Sequence, residues 1–137
     1  MEKFNGLKIT FFNDSWGISS QGERSHVVVS ISNGIPSVES VYFAALGNDV
    51  KEKFNENDSV QSLALNEYTM TAGYVTITNL EDDDLFFADY MSNEWSLMED
   101  PLIEGLVDSA GEITKETVNL LLEIFHKAFE KDVWLSA

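Results

Sequence analysis

Alternation of apolar and polar residues dominates the first two-thirds of this chain. Leu7-Lys8-Ile9-Thr10-Phe11-Phe12 alternates until its last residue, the period of a strand with one buried face. Val27 to Ser32 is rich in β-branched residues and predicts a second strand. Asn33-Gly34 follows at once and favours the positive φ values of a tight hairpin. Ser37 to Ala45 then reads as the returning strand, with Pro36 marking where it can begin. Val60 to Leu65 and Glu67 to Ala72 read as one long or bent strand, and Asp49 to Asn57 as at most one helical turn. Tyr74 to Thr78 predicts a strong strand, with Gly73 before it able to form a turn or bulge. Glu81-Asp82-Asp83-Asp84 reads as a solvated connection into Leu85 to Tyr90.

The period changes near the C-terminus. Val118, Leu121, Leu122, Phe125 and Phe129 fall on one helical face, and Leu120 and Ile124 widen it. Thr114 is a suitable N-cap, Glu116 suits the positive end of the helix dipole, and Lys127 and Lys131 suit its negative end. Met91 to Gly111 shows no regular pattern and is punctuated by Pro101, Gly105 and Gly111. Strands followed by one helix predict an α+β fold: an antiparallel sheet of about five to six strands with a long C-terminal helix packed on one face. With no internal repeat or linker, residues 1–137 read as a single domain.

Composition narrows the classes of function. Apolar residues make up 44% of the chain and aromatics 12%, too many for a disordered acidic tail. With no cysteine, disulfides, thiolate catalysis and Cys-ligated zinc are excluded. The longest apolar runs are far short of the roughly twenty residues that span a bilayer. The first residues lack the basic start and apolar block of a secretory signal, so the expectation is a cytoplasmic protein.

Charge changes the picture most. From Phe54 to Thr114 there is no Lys, Arg or His, yet this stretch holds fourteen of the twenty-four carboxylates. The flanking segments carry ten acids against eight bases, so most of the net charge of −16 arises in this one region. Such a surface repels nucleic acid and anionic membranes, which bind through Lys and Arg. Direct nucleic-acid and membrane binding are therefore excluded, and a basic protein is the favoured partner.

No recognised catalytic constellation accompanies the acids. Asp82 and Asp84 alternate as calcium ligands do, but Phe86 falls at the next position and no glycine follows in register. An irregular divalent-metal site, and with it a metal-dependent enzyme, would have to draw on the 81–89 cluster. Glu123, His126 and Glu130 can share one helix surface, as an acid–base grouping or as an ordinary polar border. The serines near His26 lie in no nucleophile elbow, and the dispersed glycines form no phosphate-binding loop. No cofactor is implied, and the chain reads as a binding protein and not an enzyme.

Large aromatic side chains set among acids resemble the anchors and charged rim of a protein-binding hot spot. The candidate surface comprises Glu81, Asp82, Asp83, Asp84, Phe86, Asp89, Tyr90, Glu94, Trp95, Glu99 and Asp100. Spaced as duplex phosphates are, at one charge per ~1.7 Å, fourteen carboxylates would match about 24 Å of DNA. The expected function is an acidic inhibitor of a basic, nucleic-acid-acting protein, foremost an immunity protein for a bacterial nuclease toxin. A phage inhibitor that mimics DNA is the alternative. Because the acids concentrate in one stretch and the two ends are nearly neutral, a local patch fits better than a whole-surface mimic.

Overall fold

A computed structural model of the chain describes residues 2–14, 18, 20–42, 72–91, 94–99 and 101–128. A short 3-10 turn, Glu2–Phe4, precedes the first strand and buries Phe4. The strands are β1 (Lys8–Asn13), β2 (His26–Ser32), β3 (Ile35–Tyr42), β4 (Ala72–Thr78), β5 (Asp84–Met91) and β6 (Glu94–Leu97). They form one sheet in the order β3-β2-β1-β4-β5-β6, and every neighbouring pair is antiparallel. One helix, α1 (Lys115–Ala128), completes the α+β fold.

The β2–β3 hairpin forms where the sequence places it. Asn33 at φ 53° and Gly34 at φ 73° supply the two left-handed residues that match the turn to the sheet twist. β3 begins one residue ahead of Pro36 and so takes the proline inside the strand. Proline lacks a ladder donor, but among the described residues β3 is an edge strand and tolerates the loss. β6 lies inside the segment that carried no assignment. Its sequence, Glu94-Trp95-Ser96-Leu97, alternates and its burial alternates with it, but four residues are too few to stand out. The expected strands across Val60 to Ala72 and the turn over Asp49 to Asn57 lie outside the described residues, apart from Ala72 itself, which opens β4.

One sheet face is the core face. Ile9 and Phe11 of β1, Val27, Val29 and Ile31 of β2, Val75 and Ile77 of β4, and Phe86 and Ala88 of β5 are buried there. From α1 they meet Leu121, Ile124 and Phe125, and Leu106 fills the same cluster. The Phe11 and Phe125 rings meet edge to face at 5.1 Å, the favoured arrangement for paired aromatic quadrupoles. Thr117, Leu121, Ile124 and Phe125 mark the centre of the buried stripe, while Val118 and Leu122 are half-buried at its border. Thr114 caps the helix, accepting a hydrogen bond at Oγ1 from the backbone N–H of Thr117 at 3.1 Å. At fourteen residues the described helix is of ordinary length, shorter than the long helix expected from sequence. It carries no stretch long and apolar enough to cross a membrane.

Candidate partner-binding surface

The β4–β5 turn presents the acid tract. Asn79 organises it: its Oδ1 accepts from the backbone N–H groups of Glu81 at 2.9 Å and Asp83 at 3.0 Å. Its Nδ2 donates to Asp83 Oδ2 at 3.1 Å. Backbone bonds join Asn79 to Asp83 and Asp82 to Asn79. Asp82 adopts φ 63°, a left-handed conformation that Asp tolerates better than most residues. All four carboxylates, Glu81 to Asp84, are exposed. Four like charges in consecutive positions repel, and the Asn79 bonds hold the chain in place against that repulsion. At the tip, Leu80 is 73% exposed, an apolar side chain beside the acids.

A second acidic segment runs alongside β5 toward the same end of the sheet. Beyond β6 the chain keeps pairing, with Met98 N–H donating to Phe87 O at 2.9 Å and Leu102 N–H to Leu85 O at 2.8 Å. These bonds carry Glu99 and Glu104, both exposed, along the strand that begins at Asp84. Met98 and Leu102 are exposed large apolar residues within this segment. Leu80, Met98 and Leu102 escaped the sequence reading, which sought aromatic anchors. Their signal was available, as aliphatic residues next to acids at the ends of strands. The Lys3 ammonium lies beside Gly105, so this end is not free of cations.

The remaining acids sit elsewhere. Asp89 pairs in register with Tyr74 and lies on the sheet face opposite the core. Glu94 opens β6 at the other end of the β5–β6 hairpin. Asp108 organises a further turn, its Oδ1 accepting from the N–H groups of Ala110 and Glu112. That turn brings Glu112 beside β6, across a cleft of about 630 Å³ lined by Glu94, Trp95, Ser96, Leu97, Gly111, Glu112 and Ile113. The acidic stretch thus folds into separate groups. Among the described residues the ion pairs are Lys8–Glu39, Arg24–Asp14 and Lys127–Glu123, and none uses an acid between Glu81 and Glu112.

Two of the expected ring anchors are placed differently. Phe86 is fully buried in the core, which corrects its assignment to the surface: β5 alternation turns it toward α1 with Ala88. Trp95 is half-buried and packs against the core, so only part of its ring edges the cleft. The Tyr90 side chain and Asp100 lie outside the described residues, as do the His126 side chain and Glu130.

Rings do gather on the opposite sheet face, in a row across the strands. Phe12 stacks on Tyr74 at 4.1 Å between centroids, Tyr74 on Phe87 at 5.3 Å, and His26 lies between Phe12 and Tyr42. The Arg24 guanidinium lies 5.0 Å from the Tyr74 ring centroid. Its pKa is raised above the ordinary arginine value, first by hydrogen bonding to Tyr74, against an opposing effect of burial, with further support from the charges of Asp14, Tyr74 and Asp89. Most of the ring faces in this row are already taken by neighbouring rings. It serves as cross-strand packing for the half-covered side of the sheet.

No group of three or more His, Cys, Asp or Glu side chains is arranged to hold a metal among the described residues. The 81–84 carboxylates point outward along a turn and do not converge. No protein-family model, curated protein or solved structure matches this chain.

Proposed function

We propose that this protein is an acidic inhibitor that captures a basic, nucleic-acid-acting protein, in the setting of an immunity protein bound to a bacterial nuclease toxin. One observation carries the reading. Ten described carboxylates between Glu81 and Glu112 form no ion pair with any described residue, although charge of one sign destabilises the fold that holds it. The Asn79 bonds hold the backbone of the turn that carries Glu81 to Asp84, all four of which are exposed. Exposed Leu80, Met98 and Leu102 supply apolar contact within the same acidic surroundings.

A positive cleft built to grip phosphates is the complement of this surface. Charge steers the encounter and can raise an association rate by about 10- to 1000-fold, while the apolar side chains slow release. The experiment is capture against a panel of purified basic nucleases at low and at high salt. A nuclease partner should bind with an association rate that falls steeply as salt rises, and should lose activity when bound. Absence of any basic partner across the panel, with no nuclease inhibited, would remove the proposal.

A further inference from the structure

Two Asn-Gly pairs occur in this chain, Asn5-Gly6 and Asn33-Gly34, and the fold ties one to the other. Gly34 holds the second position of the β2–β3 turn, between the paired residues Ser32 and Ile35. An N–H at that position of a two-residue turn lies outside the strand ladder. Here it donates to Asn5 Oδ1 at 2.7 Å. Asn5 is itself anchored. Its N–H donates to Glu2 O at 3.1 Å, the Gly6 N–H donates to Ile31 O at 2.9 Å, and the adjacent Phe4 is fully buried. A Cβ at Gly34 would lie 3.3 Å from Glu2 Cγ, so the N-terminal turn sits close against the hairpin tip. Asn33 is exposed.

An asparagine followed by glycine carries a built-in reaction. The glycine nitrogen gives up its proton and attacks the asparagine Cγ. A C–N bond forms, the bond to the side-chain nitrogen breaks, and ammonia leaves with the released proton. Water then opens the succinimide ring at either carbonyl, giving aspartate or isoaspartate. Glycine favours the step because it has no Cβ to hinder the approach. At Asn33-Gly34 the proton that must be given up is the one that Asn5 holds.

We propose that Asn33 is a deamidation site, with water as the only co-reactant, and that Asn5 guards it by keeping the Gly34 N–H engaged. Reaction proceeds from the fraction of molecules in which the turn has opened locally and that bond is broken. The isoaspartyl product adds a methylene to the main chain of a turn whose two left-handed residues match the sheet twist, and both products add a carboxylate. Nothing in this chemistry requires a partner.

Aspartate and isoaspartate at position 33 are followed by peptide mapping and mass spectrometry during incubation at mildly alkaline pH. The synthetic peptide Ile-Ser-Asn-Gly-Ile-Pro, the sequence of residues 31–36, gives the unguarded rate. The folded protein should react more slowly than the peptide. Asn5→Ala should react about two- to tenfold faster than the parent at position 33, the worth of one exposed hydrogen bond. Asn5→Asp keeps an oxygen acceptor and should stay as slow as the parent. Should the alanine variant not fold, hydrogen exchange of the Gly34 amide decides, and it should be slower in the parent than in the peptide. A parent as reactive or as fast in exchange as the peptide, no acceleration in Asn5→Ala, or Asn5→Asp as fast as Asn5→Ala would each overturn the assignment.

Discussion

At the scale of single residues, Asn79 does the most for the candidate surface. One side chain receives two backbone N–H groups and donates to Asp83, so its loss frees three polar groups in a turn already loaded with like charge. Asn79→Ala should cost about 0.5–1.5 kcal/mol in urea unfolding, the net worth of solvent-exposed hydrogen bonds whose freed partners turn to water. Under the proposed function, partner capture should slow at the same time, because the turn backbone that carries the carboxylates is loosened. Thr114 has a purely structural role. Replacing this cap with Ala should cost about 1 kcal/mol and leave capture unchanged. Arg24 offers a check of sign. Its pKa is raised in the folded state, so the stability it lends is fully present below the ordinary arginine range and is lost only as pH rises beyond it. Its contribution is therefore constant at physiological pH, and titration of folding stability between pH 6 and 9 should be insensitive to Arg24→Gln.

At the scale of elements, the sheet is asymmetric in what its two faces do. The core face joins α1 through Phe11 and Phe125, both almost wholly buried. Phe125→Ala should cost about 3–5 kcal/mol by calorimetry or urea melts, since the ring leaves a cavity that the sheet cannot fill. The opposite face carries the Phe12–Tyr74–Phe87 row, half-covered. Phe12→Ala should cost clearly less than Phe125→Ala in the same assay. Comparable losses would mean that the outer row is as fully packed as the core.

At the scale of the whole molecule, electrostatics sets stability against the proposed function. Net charge is −16, and the ten described acids between Glu81 and Glu112 form no ion pair with a described residue. Screening over about 8–10 Å should relieve their repulsion, so the melting temperature should rise between low salt and 0.15 M NaCl. Changing Asp82, Asp83 and Asp84 together to Asn should raise it at low salt and flatten its salt dependence. The same change should slow association with a basic partner. Leu102→Ala should instead speed dissociation, because it removes apolar contact and leaves the steering field intact. A triple variant that is less stable and binds as fast as the parent would count against a functional role for these charges.

Much of this was legible in the linear pattern, for local reasons. Strand alternation, the Asn33-Gly34 turn, the Thr114 cap and the helical stripe each depend on neighbours a few residues away. They fixed the α+β class, the strands that flank the hairpin and the acidic character of the β4–β5 connection. The concentration of acids in one stretch was equally plain, because composition needs no fold. Tertiary structure alone decided which side of β5 faces α1, and so why Phe86 is core while Leu80 and Leu102 are exposed. It also decided that acids adjacent in sequence divide between two ends of a sheet, and that Glu94 and Glu112, eighteen positions apart, share a cleft. Those outcomes depend on strand order and on the face that the helix covers, which are long-range choices made by burial and not by any residue's near neighbours.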